Sequence, residues 1–222
     1  MKSKEKNILA YYTLCNRLKN TIRTGWKDWN VNRERLESVA EHVFGVQMLA
    51  IAMKSEFAYN VDLKKVLFML AIHEIGETVI GDLTRFQITR EEKEKLEHEA
   101  VHKILQGLLD GEWIEALFLE FDAQETLEAK FAYQCDKLEC DLQCRLYDEE
   151  GCVDLSDQRE NTTMEDPQVQ ALLQSGSSWS EMWLQFGQQN YPYDANFRSV
   201  SEYAMKHRIS AQADGAEIPD SK

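Results

Sequence analysis

One stretch in the first half of the chain, residues 69–82, constrains the fold more than any other. It reads Met-Leu-Ala-Ile-His-Glu-Ile-Gly-Glu-Thr-Val-Ile-Gly-Asp, an apolar helix that acquires one histidine and three carboxylates within ten residues. On a helix His73 and Glu77 lie one above the other, with Glu74 about 100° round the same turn. Burying these side chains is costly unless a cation compensates them, and a divalent metal is the natural cation. The alternative is an amphipathic helix with its polar face in water.

Composition excludes several classes of protein. The 222 residues suffice for one large domain, and only 3 Pro and 10 Gly accompany 43% hydrophobic and 29% charged residues, which favours helices. The net charge of −14 repels nucleic acid and anionic membranes, so binding to either is not expected. No apolar run approaches the length that spans a membrane. A small anionic substrate would need cations placed locally around its site.

The cysteines and the start of the chain predict a cytoplasmic protein with reduced thiols. Five cysteines occur, an odd number without a C-x-x-C pair, and residues 1–6 are charged without a following signal-type apolar segment. Cys140 and Cys144 share a helix face, and buried structural thiols are favoured there over a metal-binding pair.

Helix signals recur along the whole chain. Ser38, Thr89 and Ser178 each open a capping box, with Glu three residues later, and Asp62 caps the helix of the central stretch. The predicted helices cover about 7–20, 38–59, 63–80, 89–109, 112–121, 124–147, 166–173, 178–186 and 194–208. We expect one all-α helical bundle at 1–209, with a core at about 5–147 and C-terminal helices at 166–208. A loop is predicted at 148–166 and a disordered tail at 210–222.

The helix predicted at 124–147 carries two stripes of non-polar residues. One contains Leu127, Phe131 and Leu138, and the other consists of small residues that also include Asp136. A helix with two such faces is expected in the middle of a bundle. Asp136 is therefore a candidate buried carboxylate that needs a cation or several hydrogen bonds.

Residues 98–102, His-Glu-Ala-Val-His, match the H-E-x-x-H pattern of zinc proteases. Their helix is highly charged, and its apolar arc leaves His98 and His102 at the edge and Glu99 facing water. A protease is therefore not favoured.

Four residues from three predicted helices form a more specific pattern. His42 follows the Ser38 capping box, His73 and Glu74 come about 30 residues later, and Asp136 about 60 residues after that. This order resembles the HD-domain metal-dependent phosphohydrolases, which are all-α proteins with a central metal site. Four further segments resemble the 5′-deoxynucleotidase branch of that family, at residues 23–26, 35–42, 73–82 and 128–138.

The resemblance implies the hydrolysis of (deoxy)ribonucleoside 5′-monophosphates to nucleoside and phosphate, by attack of a metal-bound water on phosphorus. His42, His73, Glu74 and Asp136 would hold one divalent ion such as Mn, Co or Fe. Further matches give Glu77 and Asp82 as catalytic residues and Arg23 and Trp26 as substrate-binding residues. A homodimer is also implied.

The residues alone support similar chemistry. A phosphate ester is anionic, so its hydrolysis needs charge neutralisation and positioning, and Arg23 can bind phosphate through two parallel hydrogen bonds. Lys130 and Lys137 are further cations, although a solvent-facing position is favoured for both.

One departure keeps other functions open. The family has Asp where this chain has Glu74, whose carboxylate reaches about one bond further. The alternatives are a hydrolase of another phosphate ester or of a signalling nucleotide, and a non-catalytic nucleotide-binding sensor.

Overall fold

The computed structural model describes residues 3–84 and 87–213. Over these ranges the protein is all-α, as predicted, and extended pairing is limited to an isolated bridge between Ile22 and Ser38. The helices are α1 (Lys4–Cys15), α2 (Thr24–Asp28), α3 (Val39–Glu56), α4 (Leu63–Ile72), α5 (Glu77–Ile80), α6 (Arg90–Leu105), α7 (Gly111–Ala123), α8 (Leu127–Glu149), α9 (Pro167–Gln174), α10 (Trp179–Asn190) and α11 (Ala195–Lys206). Short 3₁₀ helices cover Asn16–Lys19, Thr162–Glu165 and Ser210–Ala213.

The predicted capping residues start their helices. Ser38, Thr89 and Ser178 each accept a hydrogen bond from the backbone N–H three residues later, and the glutamate there bonds back to the cap. Asp62 accepts from two N–H groups at the start of α4. These local bonds satisfy N–H groups that a helix start leaves unpaired, which explains why sequence located these boundaries.

Helix α8 lies at the centre of the bundle. Helices α3, α4 and α7 pack against it, and so do α10 and α11. Its buried residues come from both predicted stripes, including Phe131 and Leu138 on one and Ala132 and Asp136 on the other. Both interpretations of this helix, its central position and the burial of Asp136, are therefore confirmed.

The continuous helix predicted at 63–80 is wrong. Helix α4 ends at Ile72, tight turns follow, and α5 begins at Glu77. The His73 Nδ1–H donates to the Leu70 carbonyl at 2.8 Å, the group that the Glu74 N–H would bond in a continuing α-helix. Subsequent N–H groups, such as that of Glu77, bond three residues back, as in a 3₁₀ turn. His73 and Glu77 consequently do not lie one above the other.

Two further segments differ from the sequence predictions. Residues 22–29, which lie between the first two predicted helices, contain the short helix α2. Of the predicted disordered tail, Ser210–Ala213 form a 3₁₀ turn, while 214–222 lie outside the described residues. The domain boundary at 209 stays a prediction. None of the helices within the described ranges is long and apolar enough to cross a membrane.

Candidate metal centre

The four predicted metal ligands converge at one point. His42 comes from the first turn of α3, His73 and Glu74 from the turn after α4, and Asp136 from α8. One ligand atom of each lies within 4.8 Å of the others. From Asp136 Oδ1, His42 Nε2 is 3.0 Å away and His73 Nε2 is 3.8 Å away. Glu74 Oε1 lies 3.9 Å from His42 Nε2 and 3.6 Å from His73 Nε2.

His73 is set up to bind a cation. Its Nδ1–H is used on the Leu70 carbonyl, so Nε2 carries the lone pair in the neutral ring. That Nε2 atom is buried and has no hydrogen-bond partner among the residues that the structure describes. Burial lowers the pKa of His73, which favours the neutral form. A buried acceptor pointing at two carboxylates fits a divalent metal.

His42 lies between two carboxylates. Its Nε2 is 3.0 Å from Asp136 Oδ1 and its Nδ1 is 2.5 Å from Glu139 Oε2. Burial and Arg23 lower the pKa of His42, but Glu139 and Asp136 outweigh them and raise it to about 9. These two carboxylates favour the protonated ring, whereas a metal ligand must offer an unprotonated nitrogen, so binding of a cation at Nε2 would displace a proton.

Glu139 is a site residue that sequence reasoning missed. It is three residues after Asp136 on α8, the spacing that could have revealed it, and both Glu139 and His42 are buried. Gly45, on α3, makes room for it, because an added Cβ would overlap the Glu139 carboxylate. A carboxylate on the far nitrogen of a ligating histidine fixes the orientation of the ring.

The two carboxylate ligands are ionised. Burial opposes ionisation, but His73, Lys93 and Arg23 together hold the pKa of Glu74 at about 2. Burial likewise opposes ionisation of Asp136, while Lys137 and the histidines hold its pKa well below the usual range. Two buried anions beside an unpartnered imidazole nitrogen suit a small hard cation.

Glu77 and Asp82 line a cavity that lies beside this cluster and that His73, Glu74 and Asp136 also line. Glu77 is 2% exposed, and its Oε1 lies 3.3 Å from Lys93 Nζ. Its Oε2 is buried without a hydrogen-bond partner in the described part of the chain. Burial, Glu74 and Asp82 raise the pKa of Glu77 well above its ordinary value. Asp82 follows Gly81, whose φ of 80° turns the chain, and its Oδ2 accepts from the Thr24 N–H at 2.6 Å.

Arg23 and Trp26 differ in what they present to the cavity. The Arg23 Nη1 lies 3.4 Å from Glu74 Oε1, and Nη2 donates to Cys140 Sγ at 3.9 Å. Trp26 is 1% exposed, and its Nε1–H donates to Glu37 Oε2 at 2.8 Å. The ring of Trp26 is packed among other aromatic rings and offers almost no surface to a ligand.

Two lysines add positive charge to the site. Lys93, on α6, was not singled out in the sequence, and its Nζ bridges Glu77 and Glu97 at 3.3 and 3.4 Å. Lys137 Nζ lies 2.8 Å from Asp136 Oδ2. The solvent-facing position favoured for Lys137 is therefore wrong, because the side chain folds onto Asp136 at the cavity wall, whereas Lys130 is exposed.

The cavity beside the cluster has a volume of about 530 Å³. Ionisable groups, including Arg23, Lys93 and Asp136, line one region, and α10 contributes apolar and aromatic side chains to another. Such a combination suits a small molecule with one charged end.

The H-E-x-x-H residues are not part of this site. His98 Nε2 lies 2.7 Å from Asp122 Oδ2 and His102 Nδ1 lies 3.0 Å from Glu115 Oε1, so both histidines pair with carboxylates of α7. Neither histidine belongs to a metal-ligand grouping of the described residues. All five cysteines are free thiols.

The fold and site define an all-α protein with a buried cluster of two histidines and two carboxylates, suited to a divalent metal, beside a ligand-sized cavity. A family model described as an HD domain matches residues 15–170. The chain belongs to the HD-domain family.

Curated relatives agree with the branch that the sequence resembles. The chain is 32% identical to a 5′-deoxynucleotidase of Schizosaccharomyces pombe over 163 residues, 69% of this chain and 80% of the relative. It is 30% identical to a human 5′-deoxynucleotidase over 147 residues, 65% of this chain and 70% of the relative. The resemblance to HD-domain phosphohydrolases of the 5′-deoxynucleotidase branch is thereby confirmed.

Solved structures share the fold. A predicted metal-dependent phosphohydrolase from Magnetospirillum magnetotacticum superposes with a TM-score of 0.61 at 19% identity, covering 95% of both chains. A protein from Pyrococcus horikoshii superposes with a TM-score of 0.60 at 21% identity, covering 89% of this chain and 98% of that one. At these identities the likeness concerns the fold.

Proposed function

We propose that the protein is a metal-dependent phosphohydrolase that cleaves (deoxy)ribonucleoside 5′-monophosphates to nucleoside and phosphate. The observation that carries the proposal is the buried cluster of His42, His73, Glu74 and Asp136, whose ligand atoms converge beside a cavity with cationic side chains. Family membership and the 5′-deoxynucleotidases among the relatives supply the reaction.

These four residues would hold one divalent cation, with Mn, Co or Fe as the expected ions. When bound, the ion would act as a Lewis acid toward phosphate and lower the pKa of a water at the site. The chain fits this role, because two ionised carboxylates and the unpartnered His73 Nε2 face one point.

Glu77 is proposed as the proton acceptor for the attacking water. Its Oε2 is buried and lacks a hydrogen-bond partner within the described residues, so this oxygen is available. Its raised pKa makes it a stronger base than an ordinary glutamate. Asp82 Oδ2 is held by the Thr24 N–H, which suits a residue that positions the substrate or the leaving 5′-oxygen.

Arg23 is proposed to bind the phosphate. In the structure its guanidinium rests against Glu74 Oε1 at 3.4 Å, and burial would make a charge-assisted pair with phosphate strong. Lys93 supplies a second cation to the same cavity. Together they offset the −14 charge of the chain where an anionic substrate must enter.

The experiment is phosphate release from a panel of deoxy- and ribonucleoside monophosphates and other phosphate esters, with Mn, Co, Fe or Mg added to chelator-treated protein. Release from nucleotides that requires a metal supports the proposal. Release from other esters alone would move the substrate to a different class within the family. His42→Ala is expected to abolish both metal content and turnover, whereas His98→Ala retains both.

A nucleotide sensor remains the second candidate because of one contact. The longer Glu74 side chain reaches Arg23, so a ligand in the family's Asp position is tied to the proposed phosphate-binding residue. A comparison of Glu74→Asp with the wild type distinguishes an enzyme from a nucleotide sensor. A faster variant indicates that Glu74 tunes an enzyme, whereas nucleotide binding without turnover in both proteins with every metal favours the sensor.

A cytoplasmic location and a homodimer belong to the same proposal. The five free thiols suit a reducing compartment. The dimer rests on the family resemblance, and light scattering on a sizing column tests it directly.

A further inference from the structure

Trp26, the aromatic residue of the predicted substrate-binding segment, lines the cavity but exposes almost no surface to it. Trp26 is 1% exposed, and its indole N–H is used on Glu37. Its ring packs edge-on against Tyr147 at 5.3 Å between centroids and lies 5.6 Å from the Trp183 ring at an angle of 36°. A ligand in the cavity therefore meets Trp183 before it meets Trp26.

Trp183, on α10, has the features of a ligand-contacting residue. It lines the cavity that also contains Arg23 and the metal ligands. Its ring is half-buried, while its Nε1 atom is fully buried with no hydrogen-bond partner in residues 3–84 and 87–213. Leaving a buried N–H donor unsatisfied costs free energy, which an acceptor on a bound ligand would recover.

Helix α2 places Trp183 close to the charged residues of the cavity. A Cβ added at Gly25 would lie 3.9 Å from the Trp183 ring, so this ring packs directly beside the segment that contains Arg23. A phosphate held by Arg23 would leave the rest of the molecule next to the indole.

We propose that Trp183 binds the nucleoside part of the substrate by stacking its indole ring on the base, with its in-plane Nε1–H left for an acceptor elsewhere on the nucleotide. The inference rests on the proposed function and names how the same site holds its substrate. Every base has a π-face, so this stacking contact recognises a nucleobase as such. Trp183 lies beyond residue 170, where the family match ends, so the contact is a feature of the C-terminal part of this chain.

The first test compares substrates with and without a base. For Trp183→Leu, kcat/KM for dAMP is expected to fall about tenfold through KM, because stacking on an aromatic ring is lost. For 2-deoxyribose 5-phosphate, which has no base, kcat/KM should be unchanged. Trp183→Phe keeps an aromatic ring without the N–H donor, so its kcat/KM for dAMP should lie between those of the wild type and Trp183→Leu. Trp113→Leu, an exposed tryptophan on α7, is the matched control and should leave both substrates unaffected.

The second test needs no turnover. In chelator-treated protein with ¹⁵N-labelled indoles, dAMP should shift the Trp183 Nε1–H resonance, which Trp183→Phe identifies by its loss. Thermal melting confirms that the variants are folded.

The outcomes of these two tests separate the role of Trp183 from the proposed phosphohydrolase function. Equal kcat/KM for dAMP in wild type and Trp183→Leu overturns the role of Trp183 while the proposed function stands. If the wild type releases no phosphate from any nucleotide, the proposed function fails and the titration alone decides. A shifted Trp183 resonance then supports nucleoside binding, and an unmoved one refutes it.

Discussion

At the scale of single residues, Glu139 holds the ring of His42 in the candidate metal centre. Its carboxylate contacts His42 Nδ1 at 2.5 Å, and Gly45 leaves the space that this carboxylate occupies. The three residues come from two helices that pack together, so a change at any of them is expected to alter metal binding without removing a ligand.

Glu139→Gln should weaken Mn²⁺ binding roughly 10- to 100-fold, because the amide no longer polarises and orients the imidazole. Gly45→Ala should do the same by displacing the carboxylate, although alanine inside a helix normally stabilises by about 1 kcal/mol. Calorimetric titration of chelator-treated protein measures both effects. Glu125→Gln, an exposed position before α8, is the control, and unchanged affinity in Glu139→Gln would contradict the role of this residue.

Asp141 is a third buried carboxylate on α8, after Asp136 and Glu139, and is not one of the candidate metal ligands. Its Oδ2 accepts from the Tyr193 hydroxyl at 2.9 Å and fills space that Gly187 leaves open. Burial raises its pKa well above the ordinary value, against the opposing effects of Tyr193 and Lys137. When folding raises the pKa of a carboxyl group, the group's contribution to stability is fully present below its pKa in the unfolded chain. That contribution is lost as the pH rises through its pKa in the folded protein.

Asp141→Asn should therefore stabilise the protein at neutral pH. The gain should be smallest near pH 4, the ordinary carboxyl pKa, and should increase toward pH 8, by about 1.4 kcal/mol for each unit of pKa shift removed. Thermal melts at a series of pH values measure it, with the exposed Asp157→Asn as control. A gain that is independent of pH would show that packing, not ionisation, is responsible.

At the scale of elements, α6 brings a cation to the site in addition to Arg23. Its sequence is highly charged and its histidines suggested a different chemistry, yet the α6 side chain that reaches Glu77 in the cavity is Lys93. Its Nζ lies close to the carboxylates of Glu77 and Glu97. Burial lowers the pKa of Lys93, but Glu74 and Glu77 outweigh this effect and raise it. The helix therefore presents a permanent positive charge to an anionic ligand.

Lys93→Met should lower kcat/KM for nucleoside monophosphates roughly 10- to 100-fold, as expected for the loss of one charge-assisted hydrogen bond. The inhibition constant of inorganic phosphate should rise in parallel, because the product shares that contact. Lys103→Met removes an exposed charge from the same helix and serves as control. A variant with normal phosphate inhibition would place Lys93 outside the binding site.

At the scale of the whole molecule, the candidate metal centre joins three helical regions of the bundle. Its ligands come from α3, the turn after α4, and α8, so cation binding should favour the folded state over the unfolded state. In the absence of metal, the buried carboxylates of Glu74 and Asp136 depend on the neighbouring cations and imidazoles for compensation.

Chelator treatment should consequently lower the melting temperature, and Mn²⁺ should restore it. At one hundred times its dissociation constant, a ligand stabilises by about 2.7 kcal/mol, which corresponds to roughly 5–10 °C for a chain of this size. The shift should disappear in His42→Ala and persist in His98→Ala. An equal shift in both variants would locate the bound metal elsewhere.

Sequence alone determined the helical class, the capped helix starts, the central position of α8 and the four candidate ligands. Those features depend on local physics: a capping box satisfies its own backbone, and a two-faced helix needs partners on both sides. The chemistry of His42, His73, Glu74 and Asp136 is likewise a property of the side chains themselves, so their order in the chain sufficed to suggest a metal.

Only the tertiary structure decided the surroundings of that cluster. The bond from His73 to Leu70 interrupts the helix that periodicity predicted to continue. Glu139, Lys93 and Trp183 reach the site from helices whose positions depend on packing between distant segments, which no local pattern specifies. The same packing buries Trp26 and leaves Trp183 at the cavity wall. The stretch at 69–82 thus indicated the metal chemistry. The packing of the bundle around it determined which groups orient the candidate ligands and contact the substrate.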